Sequence, residues 1–290
     1  MKTTISSESR RAKAMLTISR VLVYAFLIFI SLLCLFSFYM LIINATRSNA
    51  ELQAGFEILP QKHFFENLKN AWNDASIDIP RGMFNSFIVA ASTALLSTYF
   101  SALTAYGLHA YNFRLKKIAF TFIMAVMVIP KQVSATGMVQ LCYKLNLTNS
   151  YIPLILPTIA APIVFFYMKQ YMESVLPMEI VDAARVDGSG EFRTFNRIVL
   201  PMVKPALAVQ LIFTFVESWN NYFIPALLLD KKEMKTVPIM IAQLRAADYS
   251  KFDMGKVYMF ILLDPSFVFA PSEATFFSRP PHIIVMSAFT

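Results

Sequence analysis

The chain has 290 residues, of which 57% are hydrophobic and only 15% charged, with a mean hydropathy of +0.54 and a net charge of +8. Soluble domains carry about 25% charged residues, so this composition argues against a water-soluble globule and for a polytopic membrane protein. The positive charge suits basic cytoplasmic loops rather than nucleic acid, because no lysine/arginine block is joined to a recognition motif.

A membrane span needs about 20 mostly apolar residues. Residues 1–20 carry Lys2, Arg10, Arg11, Lys13 and Arg20 and read as a cytoplasmic tail. The uncharged run that follows exceeds a signal-peptide core of about 7–15 residues, so it is a retained first span over 21–43. Cys34 within it reads as a small buried hydrophobe, and with Cys142 it gives neither a disulfide framework nor a metal spacing. Residues 46–82 are polar and form an extracytoplasmic loop. The second span covers 84–108, and Arg114, Lys116 and Lys117 mark a short cytoplasmic loop. The third span, 118–139, is interrupted by Pro130 and Lys131. The fourth, 147–168, contains Pro153, Pro157 and Pro162, which are tolerated where neighbouring helices satisfy the freed carbonyls. The fifth, 205–229, carries Glu217, and residues 230–255 are polar again.

A sixth span begins near 257, but only about seven apolar residues precede Asp264-Pro265, against the ~20 required. The reading is therefore an all-α, six-span integral membrane protein whose permease domain is 21–263. Its sixth span is atypical or disrupted, and the 264–290 segment is divergent, as a frameshifted or unusual terminus would be. Basic residues in the tail and the 111–117 loop put the N-terminus inside. The 230–255 loop fits this awkwardly, since it falls outside yet carries five basic residues against four acids.

The most informative stretch is the polar loop 170–204, above all 177–201. Pro177 suits the start of a helix, and Glu179 and Asp182 favour its dipole, so a short helix runs from about Met178 to Val186. Gly188-Ser189-Gly190 is a turn. Glu191 opens a second helix with Phe192, Phe195 and Val199 on one face and Arg193 and Arg197 on another. Pro201 ends it, and Pro205 starts the next span. The result is a helix–turn–helix lying at the membrane surface.

This pattern resembles the Glu-Ala-Ala…Gly…Ile-x-Leu-Pro coupling loop of permease subunits of binding-protein-dependent ABC importers. The matching residues are Asp182-Ala183-Ala184, Asp187-Gly188, Ile198 and Leu200-Pro201. Asn85-Ser86-Phe87-Ile88-Val89-Ala90, Val128-Ile129-Pro130 and Glu217-Ser218-Trp219-Asn220-Asn221 resemble the carbohydrate branch, the maltose-type permeases. The resemblance implies that Ala183, Ala184 and Gly188 let the loop approach a groove on an ATPase. Asp182, one methylene shorter than the family's Glu, would pair with a basic residue there, and Glu179, Asp187 and Phe192 belong to the same surface. It also implies a second homologous permease, two ATPase subunits, an extracytoplasmic solute-binding protein and a bacterial inner membrane. No cofactor is expected on this chain. ATP and Mg²⁺ would sit on the partner ATPase, since seven glycines include no Gly-x4-Gly-Lys-Ser/Thr phosphate loop.

Glu217 and Lys131 are intramembrane charges, which by default are functional candidates. They are expected to face a polar translocation pathway, or else to be a structural pair or a snorkelling lysine. Trp219, Asn220 and Asn221 are candidates for packing, gating or sugar contact in that pathway. His63, His109 and His282 lack metal spacing, and no nucleophile–base constellation marks an enzyme. The rival readings are an ion-gradient-driven secondary transporter, disfavoured by missing repeats and few intramembrane charges, and an integral-membrane enzyme.

Overall fold

A computed structural model of the chain describes residues 2–74, 77–246 and 253–264, without the side chains of residues 2–14, 131, 245 and 246. In chain order its first helices are α1 (Lys2–Ala45), α2 (Asn49–Gln53), α3 (Phe64–Trp72), α4 (Ile79–Ala110), α5 (Lys116–Met127), α6 (Lys131–Lys144), α7 (Ile152–Ile155) and α8 (Pro162–Val175). There follow α9 (Met178–Val186), α10 (Glu191–Thr194), α11 (Leu200–Met202), α12 (Lys204–Trp219), α13 (Phe223–Leu228), α14 (Val237–Ala246) and α15 (Met254–Leu263). No strand occurs among the described residues. Three helical segments are long and apolar enough to cross a membrane, Met15–Ala45, Ile79–Ala110 and Ile152–Val175, and two bent pairs raise the number to five.

The chain forms two compact units. One joins the described residues of Met1–Ala71 and Asp248–Thr290. Here α1 is exposed on every side from Met15 to Phe36, the signature of a helix solvated by lipid rather than by protein. Cys34 is therefore exposed, not buried as its apolar neighbours suggest: those neighbours are apolar for the bilayer's sake. Only the end of α1 is covered. Met40, Leu41, Ile43 and Ala45 are buried, and α15 packs on this helix. Helix ends leave carbonyls unsatisfied. Asn67 reaches back to supply donors, its Nδ2 giving hydrogen bonds to the carbonyls of Ala45 (2.9 Å) and Arg47 (2.8 Å). The buried Arg47 guanidinium donates to the carbonyls of Glu51 and Gly55. A capping box between Ser48 and Glu51 starts α2, so the loop after the first span is ordered. Asp253 caps α15 through the amides of Gly255 and Lys256. Gly255 fits because it lacks a side chain: a Cβ there would lie 2.7 Å from Arg47 O and from Asn67 Nδ2. At 1.5 Å per residue α15 is about 15 Å long, half the hydrocarbon thickness. Apart from Asp264, the 264–290 segment lies outside the described residues.

The second unit is Trp72–Ala247, built around α4. Asp78 caps α4 through the Arg81 amide, and Pro80 occupies its first turn. Its 32 residues extend about 48 Å, so both ends clear a hydrocarbon core of ~30 Å. Thr93, Ser97, Thr98 and Ser101 are buried along it, and such small residues let α12 and α8, its main neighbours, approach closely. Ser101 Oγ donates to the carbonyl of Ala161, 3.4 Å away, at the break where Pro162 opens α8.

Several boundaries depart from the sequence reading. The third span is two helices, 116–127 and 132–144, bent by 95° at Pro130. The fourth starts at Ile152 and runs to Val175, later than 147–168, because Asn146 and Asn149 adopt positive φ and hold the preceding chain as a loop. The fifth ends at Trp219. Asn220 caps it, and α13 restarts at Phe223. The 230–255 stretch is not all loop: it contains α14, and α15 begins within it.

Candidate functional site

The site is the 169–204 segment, with the end of α4 near Tyr106 on which it rests. Pro177, extended at φ −66 and ψ 138, caps α9, whose span Met178–Val186 is the one its sequence implies. Gly188 turns the chain at φ +74, a conformation that costs any residue with a Cβ. Glu191 then opens the second helix. Its middle, Phe195–Val199, widens into a π-type turn, and helical structure continues through Pro201 to Met202. Pro201 therefore does not end the helix. Its ring would collide with the carbonyl four residues back, and the wider turn removes the clash by pairing the Leu200 amide with Phe195 O. The helix stops at Val203, and α12 leaves at 84°.

The candidate residues divide by burial. Val181, Phe195 and Val199 point inward and join Tyr106, Phe165, Met168, Met172 and Val203 in one apolar cluster, and Ala184 is buried as well. Ala184, only 5% exposed, packs against its own chain and is not part of an outward-facing surface. Its smallness serves the seat of α9, because a residue three positions from Val181 shares its face. Phe192 does not share the buried face of Phe195 and Val199. It is 67% exposed, and Thr194 is buried instead. Glu179, Asp182, Ala183, Asp187 and Gly188 are exposed, as is Pro201, whereas Ile198 and Leu200 are half-buried. Val186, which sequence reasoning passed over, is 88% exposed at the tip. An apolar residue at such an exposed helix end was the signal available to find it.

Sequence reasoning also missed the network under the turn. Arg185 Nε donates to Glu191 Oε1 at 2.7 Å, and its NH1 donates to Asp182 Oδ1 at 2.9 Å. Its guanidinium lies 5.4 Å over the Tyr111 ring, and NH2 reaches Ala110 O at 3.5 Å. Tyr106, buried in α4, donates its hydroxyl to Glu191 Oε2 at 2.7 Å. The Arg185 hydrogen bond, with help from Tyr106 and Tyr111, holds the Glu191 carboxyl below the usual carboxylate range against partial burial. Glu191 in turn keeps Arg185 firmly protonated. Burial, then Glu191, pushes the Tyr111 hydroxyl up. Asp182, expected to meet a partner's cation, is thus already paired within its helix. An exposed pair of this kind contributes only about 0–1 kcal/mol, so it exchanges readily. Further along, Tyr99 donates to Asn196 Oδ1 (3.1 Å), His109 Nε2 meets Leu176 O (3.1 Å), and Thr194 donates to Ser189 Oγ (2.9 Å).

The intramembrane candidates differ in burial. Glu217 is exposed near the end of α12 rather than mid-span, because Asn220 caps the helix so early. Trp219 is buried, its ring 5.6 Å from that of Phe215. Asn220 is half-buried and Asn221 exposed. The Lys131 side chain lies outside the described residues, so the pairing with Glu217 does too. Among the described residues no group of His, Cys, Asp and Glu could hold a metal.

The other end of α4 is held equally firmly. Asn85 Nδ2 donates to the carbonyls of Glu233 (2.9 Å) and Lys235 (3.0 Å), and Ser86 Oγ accepts the Val237 amide at 2.9 Å. Asn149 Oδ1 accepts the amides of Asp230 and Lys231 at 2.8 Å, and Tyr151 donates to Met234 O.

With this geometry in view, residues 97–270 match the family described as the binding-protein-dependent transport system inner membrane component. The chain is 32% identical over 259 residues to the arabinooligosaccharides transport system permease protein AraQ of Bacillus subtilis, covering 87% of this chain and 92% of that protein. It is 31% identical over 210 residues to the sn-glycerol-3-phosphate transport system permease protein UgpE of Yersinia enterocolitica, covering 71% and 74%. It is 27% identical over 224 residues to the lactose transport system permease protein LacG of Rhizobium radiobacter, covering 77% and 81%. Its fold is similar to a chain of a bacterial ABC transporter involved in the import of the acidic polysaccharide alginate, with a TM-score of 0.73, 17% identity, and coverage of 89% and 97%.

Proposed function

Because the chain belongs to the family of inner membrane components of binding-protein-dependent transport systems, we propose that it forms half of the translocation pathway of an importer for a sugar or sugar derivative, with its 177–201 segment docking on a separate ATPase subunit. It is a multi-pass membrane transport subunit and not an enzyme. Its partners in this reading are a second homologous permease, two ATPase subunits that bind ATP and Mg²⁺, and an extracytoplasmic solute-binding protein. Relatives named for arabinooligosaccharides and lactose support the sugar assignment.

One observation carries the docking assignment. The 177–201 segment presents Glu179, Asp182, Ala183, Val186, Asp187, Gly188 and Phe192 outward on a helix–turn–helix anchored to its own chain. Ala183 and Gly188 have no bulk to keep a partner away, Val186 and Phe192 offer apolar contact, and the acids offer charge. This segment and the basic 111–117 loop share one end of α4, which supports a cytoplasmic position for both and for the N-terminus. The Asn85–Ser86 clamp on 233–237 lies about 20 residues, or ~30 Å, further along α4, which supports an extracytoplasmic place for 230–246. ATP-driven closure of the ATPase would then shift the loop, and the pathway would open alternately to each side.

The test is a pull-down of the tagged, detergent-solubilised chain, wild type against Ala183→Trp and Gly188→Trp. Ala183 is exposed, so its indole fits the free chain and Ala183→Trp is the deciding variant; nothing lies within 4 Å of a Cβ on Gly188, but its φ of +74 means that Gly188→Trp also strains the turn. Recovery of an ATPase with wild type, falling about tenfold or more in the variants, is the expected result, that ratio being ~1.4 kcal/mol of contact. Equal recovery from all three would refute this docking face. A second permease without any ATPase from wild type would sink the ATP-driven reading.

A further inference from the structure

The network beneath the turn ties the loop to a helix that reaches the opposite face. Within its unit α4 is one continuous helix of 32 residues. The 116–144 pair bends by 95°, the fourth span breaks at Ala160–Ala161, and α12 ends at Trp219 and turns 84° at its start. After Pro80, α4 contains no proline, so nothing interrupts its hydrogen-bond ladder.

Both ends of α4 are fixed to loops through side chains. At one end Glu191 uses both carboxylate oxygens, one for Arg185 and one for Tyr106, so loop and helix share a charge-assisted junction. The Tyr106 ring is buried against Phe195, with centroids 5.6 Å apart, so close packing restrains the phenol. Arg185 adds Ala110 O and the Tyr111 face. At the other end Asn85 and Ser86 hold 233–237 by three hydrogen bonds.

We propose that Arg185, Glu191 and Tyr106 make the 177–201 loop and α4 one rigid body, and that α4 carries the loop's ATP-driven motion to the segment clamped by Asn85 and Ser86. The proposal rests on the docking reading above and deepens it. Arg185, Glu191 and Tyr106 act as positioning residues and touch no transported solute. The other crossings are bent or broken, so a push along them is deflected at their corners, whereas α4 has no corner within it.

The experiment measures a distance under load. Spin labels are placed at Arg193→Cys and Lys231→Cys, both exposed, in a Cys34→Ser, Cys142→Ala background, on the complex co-purified with its ATPase. Pulsed-dipolar distances are recorded without nucleotide and with MgATP plus vanadate. In the parent the distribution keeps its maximum and width in both states. In Tyr106→Phe and in Arg185→Gln it starts unchanged but shifts or broadens by about 3 Å on adding nucleotide, more than the 1–2 Å typical of helix shifts. Tyr106→Phe removes one hydroxyl and keeps the ring, so the fold is retained. A nucleotide-driven shift in the parent overturns the rigid body. Invariance in the variants overturns the roles of Tyr106 and Arg185. A shift already present without nucleotide reduces them to shaping the loop. Absence of the ATPase from the parent complex removes the docking reading, a failure distinct from the others.

Discussion

Arg185 and Glu191 face each other across the Gly188–Gly190 turn, Nε to Oε1 at 2.7 Å, so the two loop helices are joined by a charged pair as well as by the chain. The pair is six residues apart in sequence, too far for one helix face and close enough only because Gly188 reverses the backbone at positive φ. The turn makes the contact, and the contact in turn fixes the turn.

That pair sets a pH dependence. The Glu191 carboxyl is lowered, first by Arg185 and then by Tyr106 and Tyr111. A carboxylate depressed in the folded state stabilises above its unfolded value of ~4.3, and the contribution is lost as pH falls through the lowered value. Amide hydrogen exchange over 187–194, corrected for intrinsic rates, should therefore be flat between about pH 5 and 8 and accelerate below about pH 4. Glu191→Gln should raise the exchange at neutral pH and erase the acid step. A step that survives the substitution would assign it to another group.

Gly255→Ala should destabilise the unit formed by the first span and α15. The added methyl would sit 2.7 Å from Arg47 O and from Asn67 Nδ2, and these groups already hydrogen-bond each other. Overpacking of this kind costs about 1–3 kcal/mol. The thermal midpoint in detergent, followed by size-exclusion of heated samples, should fall by several degrees. An unchanged midpoint would mean that α15 does not approach this closely.

Asn85→Ala removes two donors from the carbonyls of Glu233 and Lys235. Leaving such partly buried acceptors without these donors costs about 1 kcal/mol, the low end of the range for buried groups. Limited trypsin digestion after Lys231, Lys232 and Lys235 should accelerate several-fold, with little change at Arg193. Equal rates at Lys235 would show that the clamp does not hold the segment.

The 177–201 loop was legible because its cues are local. Pro177, two early acids and a glycine turn specify α9 and the start of α10 without reference to anything distant. The inward turn of Ala184 was not legible, since it depends on the tertiary seat of α9, whose Val181 joins the cluster of Phe195 and Met172. The Asn85 clamp joins residues about 150 apart in sequence, and no periodicity encodes such a bond. Cys34 illustrates a different limit. An apolar run says that water is excluded, but lipid and protein exclude it equally well, so burial within the chain does not follow. The early stop of the fifth span was readable in principle from Asn220-Asn221, a polar pair that composition over a 25-residue window dilutes.

The 84° corner at Val203 makes the loop a crank arm for α12. The arm from Glu191 to Met202 is about 18 Å long at 1.5 Å per residue, and its hinge residue is completely buried. With a stiff corner, a 3 Å sideways push at the tip rotates α12 by about 10°, roughly half the ~20° tilt of an average membrane helix. Torque, rather than axial thrust, is what this geometry delivers to α12.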